Sequence, residues 1–169
     1  ALTAQNGQGV TGIHAPDPDF VALELNTVLK GFPVAAAKTG MLFSAGIIRA
    51  ISPILRQRKF PLVADPVSVS QSGSRLLQED AVTALKEEVL PGCDLLTPNQ
   101  PEAEMLTGLS IASVEDAFAA GEKLLAMRAK AVLIKGGHMD SSTVVTDCLC
   151  LPGQEPKALP QAKVKTKNN

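Results

Sequence analysis

The chain has 169 residues, 45 % hydrophobic and 20 % charged, with 16 basic against 17 acidic side chains and a net charge of −1. That suffices for one globular domain with one sizeable core and falls short of the basic balance of a general nucleic-acid binder. No apolar run approaches the roughly 18 residues of a membrane span, and no charged-then-apolar leader opens the chain, so neither an anchor nor a secretion signal is expected.

In chain order, the apolar start "ALTAQN" reads as the second half of a strand. Asp17-Pro18 opens a helix with a capping carboxylate and a proline at the first helical position. Val21, Leu25, Val28 and Leu29 share its apolar face, and Gly31 ends it. "VAAAKTGML" (34–42) is a short strand running into a turn at Gly40. Ser44 caps a second helix with Ile47, Ile48, Ile51, Ile54 and Leu55 at helical spacing and Pro53 expected to kink it. "PLVADP" (61–66) is a strand ended by Asp-Pro, followed by a loop with Ser68, Ser70, Ser72 and Gly73.

Val82, Leu85 and Val89 mark a helix from about Glu79 to Leu90, and "CDLL" (93–96) is a strand. A short helix runs from Pro101 to Leu106 and stops at Gly108. Ser113 with Asp116 resembles a capping box ahead of a helix through Phe118, Leu124 and Leu125. "AVLIKGG" (131–137) is a buried strand, and "VVTDCLCL" (144–151) alternates as a further one. "QAKVKTK" (161–167) is a final half-exposed strand with Lys163, Lys165 and Lys167 on a face that discourages edge pairing. Continuously apolar strands separated by helices are the mark of a parallel sheet covered on both faces, with a hairpin-like edge from Val144 onward.

Cys93, Cys148 and Cys150 show no C-x-x-C spacing. They read as small buried thiols of a reducing cytosol, and two histidines add too little for a metal site.

In open α/β sheets, ligands bind at the carboxyl ends of the strands. Those ends carry Lys38-Thr39-Gly40, Asp65-Pro66, Thr97-Pro98-Asn99 and Lys135-Gly136-Gly137-His138. Glu102, one helical turn into the next element, can join them. Lysines suit anionic phosphates. Asp65 and Glu102 suit magnesium, which keeps most of its water and uses few carboxylates. The grouping points to phosphoryl transfer.

"ALTAQNGQGVTGIH", "KTGML", "ADPV", "SGSRLL", "LLTPNQPEAEMLTG", "VLIKGGH" and "KVKTKNN" stand in the order of the bacterial hydroxymethylpyrimidine/phosphomethylpyrimidine kinases, which this chain resembles along essentially its whole length. These are ribokinase-like enzymes of thiamine biosynthesis. The resemblance implies a three-layer α/β/α fold with a mostly parallel sheet and helices on both faces. The implied activity is ATP-dependent phosphorylation of the pyrimidine alcohol and then of its monophosphate. It also implies ATP and Mg2+ as cofactors and a cytoplasmic homodimer that engages neither nucleic acid nor membrane. Carried over by motif, Gln5 resembles the residue that hydrogen-bonds the aminopyrimidine. Met41 and Val67 look like apolar contacts to that ring. Asp65 and Glu102 resemble the organisers of magnesium, mostly through water. Asn99 and Lys135 resemble groups near the ATP phosphates and carry the catalytic role.

The resemblance implies a single kinase domain over residues 1–169, cut at both ends. The family's glycine-rich segment, resembling G-x-D-P-S-G-G-A-G, would precede "ALTAQN". Its H-G-T-G-C anion hole, with the cysteine as base or proton relay, would follow "TKNN". Ser68 and Gln71 depart from the family's usual methionine and lysine or threonine in a lid-like loop. A plainer reading stands beside each role. Gln5 can cap a strand turn, Asp65 a turn before Pro66, and Glu102 can offset its helix dipole. Lys135 can be a solvated strand end, Met41 a core residue and His138 a loop histidine; Glu104, two positions from Glu102, points elsewhere into solvent. Two other functions compete: a pyridoxal-type kinase of the same superfamily, and a non-catalytic ligand-binding fragment.

Overall fold

The computed structural model describes residues 1–7, 9–68, 76–136 and 143–163. Two strands, β1 (Leu2–Asn6) and β2 (Gly9–His14), form an antiparallel hairpin with a bulge between Ala4 and Gln5. The opening strand therefore belongs to its own two-stranded sheet. Its partner β2, with two glycines in six residues, gave no strand pattern in the sequence.

A six-stranded sheet carries the rest, in the order β3 (Ala37–Thr39), β4 (Leu62–Ala64), β5 (Leu95–Leu96), β6 (Val132–Ile134), β7 (Val144–Cys150) and β8 (Lys157–Ala162). The first four strands are parallel, and β7 and β8 close the edge as an antiparallel hairpin. The parallel strands are shorter than their apolar runs, because only two or three residues of each enter the ladder. The last strand begins four residues ahead of the expected one. It includes Pro160 opposite Thr146, tolerated because the outermost strand leaves one side unpaired. Of the expected lysine face, Lys165 and Lys167 lie outside the described residues.

The helices are α1 (Pro18–Gly31), α2 (Ala45–Arg56), α3 (Glu79–Ala84), α4 (Gln100–Thr107) and α5 (Val114–Ala126). Their starts follow the caps in the sequence. The Asp17 carboxylate accepts from Asp19 N, the Ser44 hydroxyl from Ile47 N, and Ser113 with Asp116 closes a capping box. The α2 helix runs through Pro53 to Arg56. The helix expected to reach Leu90 is α-helical only to Ala84 and continues as a π-helical turn, Leu85–Val89.

The core joins Ile48, Ile51 and Leu55 of α2 to Leu62, Ala64, Leu96, Val132 and Ile134 of the strands and to Ala117, Ala120 and Leu124 of α5. Val63, Leu95, Leu133 and Leu149, on the alternate positions, are half-buried. A Cβ on Gly121 would stand 2.3 Å from Cys150 Sγ, so α5 lies closer on β7 than any larger residue allows. All three thiols are free and buried, and burial pushes each up to about 11.

The amino ends of β4 and β5 are tied by one carboxylate. Asp94 Oδ2 accepts from Leu62 N at 2.8 Å and from Arg58 Nη2 at 3.0 Å, and Oδ1 accepts from Lys130 Nζ at 2.8 Å. The Lys130 hydrogen bond leads in holding this carboxyl at about 2 rather than its ordinary 3.8, with the Leu62 amide and Arg58 adding to it against desolvation. A depressed carboxyl stabilises the fold above its unfolded value, and that contribution disappears as pH falls through the folded value. Asp94→Asn is therefore expected to cost about 1–3 kcal/mol at neutral pH, the scale for a broken charged hydrogen-bond set. Denaturant titrations across pH should show the gap from wild type narrowing between about pH 4 and pH 2.

Candidate functional site

The site stands where β3, β4, β5 and β6 end. Parallel pairing sets Lys38 beside Val63 and Thr39 beside Ala64, so Lys38 reaches the first residue beyond β4. That residue is Asp65, whose amide donates to Thr39 O at 3.3 Å. One residue beyond β6, Lys135 pairs with Asn99 in an isolated parallel bridge, and Lys135 N donates to Pro98 O at 2.8 Å. The ladder therefore continues one step past the strands and brings Asn99 and Lys135 to the same level.

Asp65 lies between two cations. Lys38 Nζ is 2.9 Å from Oδ2 and Lys135 Nζ is 3.2 Å from Oδ1. The carboxylate is only 14 % exposed, whereas the Lys38 side chain is 57 % exposed, so this cation can move without unfolding anything. The residue after Lys135 has room only as glycine: a Cβ on Gly136 would fall 1.9 Å from Thr146 O. The Gly136 amide is fixed to Asp147 Oδ1 at 2.9 Å.

Asn99 and Glu102 form a reciprocal cap on α4. Asn99 Oδ1 accepts from Glu102 N at 2.9 Å, and Glu102 Oε2 accepts from Asn99 N at 2.8 Å. Glu102 Oε1 accepts from Ser68 N at 3.3 Å. Glu102 is 3 % exposed. Desolvation raises its pKa, opposed by the Asn99 amide, the Lys135 charge and the Ser68 amide and reinforced by Asp65. Glu104 does not face solvent as expected. It is half-buried, and its Oε1 accepts from Ile111 N at 2.7 Å, holding the connection to α5. A Glu two residues past a cap carries no sequence signal for such a bond, seven positions away.

Asp65, Asn99, Glu102 and Lys135 are thus brought together, with Lys38 as a further member from the same rim. Val67 follows two residues after Asp65 and is half-buried, as is Met41. Gln5 is exposed on β1, and Ala1 N donates to Met41 O at 3.3 Å, linking the hairpin to the segment after β3. An apolar cleft of about 340 Å³ flanks β3 between α1 and α2, with Thr39 and Gly40 in its lining. Gly137, His138 and Gln71 lie outside the described residues.

The donor set can be tested against magnesium. Both Glu102 oxygens already hold backbone amides, and both Asp65 oxygens hold lysines. No group of three or more His, Cys, Asp or Glu among the described residues could hold a metal alone. Such a set fits an ion that keeps its water and arrives with phosphates.

The mostly parallel sheet, with polar and charged groups on its carboxyl rim, together with the following superpositions places the chain in the ribokinase-like α/β/α class. The crystal structure of phosphomethylpyrimidine kinase from Clostridium difficile superimposes with a TM-score of 0.81 at 36 % identity, covering 92 % of this chain and 67 % of that one. An ADP complex of Bacillus subtilis pyridoxal kinase also gives 0.81, at 28 % identity over 98 % of this chain and 62 % of that one. The family model for phosphomethylpyrimidine kinase matches residues 1–169, and the chain belongs to that family. It is 46 % identical over 151 residues, 87 % of its length, to the thiamine biosynthesis bifunctional protein ThiED of Geobacter sulfurreducens, 31 % of which it spans. It is 39 % identical over its full length to the hydroxymethylpyrimidine/phosphomethylpyrimidine kinase of Rhizobium meliloti, spanning 63 % of that protein. With the Bacillus subtilis kinase, 38 % identity covers 88 % of this chain and 55 % of the relative.

The cap made by Asn99 can be tested apart from any contact with phosphate. Asn99→Ala removes the α4 cap and is expected to cost about 1 kcal/mol in denaturant titrations. Asn99→Asp keeps an acceptor at the cap and should stay within about 0.5 kcal/mol of wild type. The same charge is expected to weaken binding of ADP with Mg2+ about tenfold or more, measured calorimetrically, if Asn99 stands beside phosphates.

Proposed function

We propose that this chain forms part of an ATP-dependent kinase that phosphorylates 4-amino-5-hydroxymethyl-2-methylpyrimidine and then its monophosphate, in thiamine biosynthesis. The carrying observation is the convergence of Asp65, Asn99, Glu102 and Lys135 beyond the ends of three adjacent parallel strands, β4, β5 and β6. Asn99 and Lys135 meet the ATP phosphates, where Lys135 leaves Asp65 and stabilises charge that builds up in transfer. Asp65 and Glu102 organise Mg2+ through its water, and the ion supplies neutralisation of phosphate charge when bound. Gln5 hydrogen-bonds the aminopyrimidine, while Met41 and Val67 hold its ring. The anion hole and cysteine implied by the family are not contained in these 169 residues. On this reading the domain is completed by segments on both sides. The enzyme works as a cytoplasmic homodimer without nucleic-acid or membrane partners; among the described residues no helix is long and apolar enough to cross a membrane.

The pyridoxal kinase structures support a second reading, a pyridoxal-type kinase on the same rim. The ring contacts separate the two, since Gln5 suits an aminopyrimidine edge. The intact gene product is expected to transfer phosphate from ATP to the pyrimidine alcohol in preference to pyridoxal, measured by coupled ADP release. Lys135→Met should lower kcat about 100-fold or more, the scale of one lost transition-state donor. Gln5→Ala should raise the pyrimidine KM about tenfold, equivalent to roughly 1.4 kcal/mol, with the ATP KM nearly unchanged. Preferred turnover of pyridoxal would overturn the pyrimidine assignment.

A further inference from the structure

The Glu102 carboxylate spans two segments that sequence keeps 34 residues apart. On one side it caps the helix that carries Asn99. On the other it holds Ser68, one residue after Val67. Ser68 is itself only 3 % exposed, and its carbonyl accepts from Leu76 N at 2.7 Å and Leu77 N at 3.2 Å. Two residues on, Gln78 N donates to Phe43 O at 2.8 Å, and Phe43 closes the segment that carries Met41. The Phe43 backbone is held in the left-handed region, φ 67°, a conformation a bulky residue keeps only where its surroundings enforce it. Hydrogen bonds joined by short stretches of main chain thus run from the Met41–Phe43 segment through Leu77–Gln78 and the Ser68 backbone to Glu102, and on through Asn99 and Pro98 to Lys135.

From this geometry we infer that Glu102 is a positioning residue that mechanically couples the ring side of the site to its phosphate side, so that each ligand tightens the other. The inference rests on the kinase reading above and adds a role that a water-mediated contact to magnesium does not supply. Each carboxylate oxygen has two lone-pair directions, so each can serve its amide and still offer one to a further donor. The strut itself needs both oxygens as acceptors and the full Glu length. Glutamine offers one oxygen and turns an N–H toward one of the two donors. Aspartate keeps the charge but is one methylene short, and the Ser68 bond, at 3.3 Å the longer of the two, is the one it loses.

Coupling is reciprocal between two ligands and has a size that can be measured. The probes are ADP with Mg2+ and 4-amino-5-hydroxymethyl-2-methylpyrimidine, titrated singly and together into the intact protein by calorimetry. In the wild type each is expected to improve the affinity of the other about fivefold or more, within the usual range for coupled sites. In Glu102→Asp and Glu102→Gln, which also weaken ADP with Mg2+ directly, the ratio of each ligand's affinity with and without a saturating amount of the other should fall below about twofold. Ser68→Ala keeps the backbone N–H and should retain the wild-type factor. Amide hydrogen exchange gives a reading that needs no pyrimidine: ADP with Mg2+ alone should slow exchange at Ser68 in the wild type and leave it unchanged in Glu102→Asp. This second measurement decides the matter if Glu102→Gln folds poorly. Absence of nucleotide binding in the wild type would overturn the kinase reading and the coupling with it. Binding of both ligands with an undiminished factor in Glu102→Asp, or Ser68 exchange indifferent to nucleotide, would overturn the coupling alone.

Discussion

The hydrogen bond from Lys135 N to Pro98 O, at 2.8 Å, sets the geometry on which the rim depends. It extends a parallel ladder beyond strands of two and three residues, at a point where one neighbour is turning into a helix and the other into a loop. Proline at position 98 offers only its carbonyl to the ladder, and glycine at 136 lets the chain pass against Thr146. Shifting that register by one residue would send Lys135 to the opposite face of the sheet and leave Asp65 with one cation in place of two. The chemistry of the site therefore depends first on main-chain pairing and only second on the side chains it presents.

Charge is then divided by depth. Glu102, shut away from water, is stabilised mainly by amide dipoles that cannot leave. Asp65, less deeply placed, is stabilised by lysine side chains that can. Buried groups with fixed partners give rigidity, and groups with long, partly hydrated partners give exchangeability. A site that receives a highly charged substrate needs both: a frame that does not reorganise and counter-charges that do. Asp65, just beyond β4, and Glu102, in the first turn of α4, are thus set apart by their burial and by the partners each depth allows.

Much of this was legible in the sequence wherever local chemistry decides the outcome. Asp17-Pro18, Ser44, and Ser113 with Asp116 start helices because their side chains satisfy amides within three residues, whereas the equally local cap of Asn99 with Glu102 emerges only in the structure. The strand ends were legible too, since Asp65-Pro66 and Thr97-Pro98 interrupt apolar runs. What escaped depends on distance or on several weak terms. The partner of Glu104 is seven residues off, and Ser68 is 34 from Glu102. The π-helical turn at Leu85–Val89 continues the same apolar face as an α-helix, so periodicity cannot reveal it. The hairpin partner Gly9–His14 is rich in glycine, and the Lys157–Ala162 strand contains proline, so each reads as loop until its neighbour is known.

The close seat of α5 on β7 has an effect beyond packing. With Gly121 against Cys150, and with Cys148 and Cys93 equally enclosed, all three sulfurs are sealed from solvent by the same core. Burial raises each thiol to about 11, so the reactive thiolate is scarce at neutral pH. With the sulfurs buried, the native domain is expected to resist oxidants and alkylating reagents that act on thiolates and to gain reactivity when the core opens. The cysteines act as an internal clock of unfolding: the rate at which they take up a label reports how often the sheet and α5 part company.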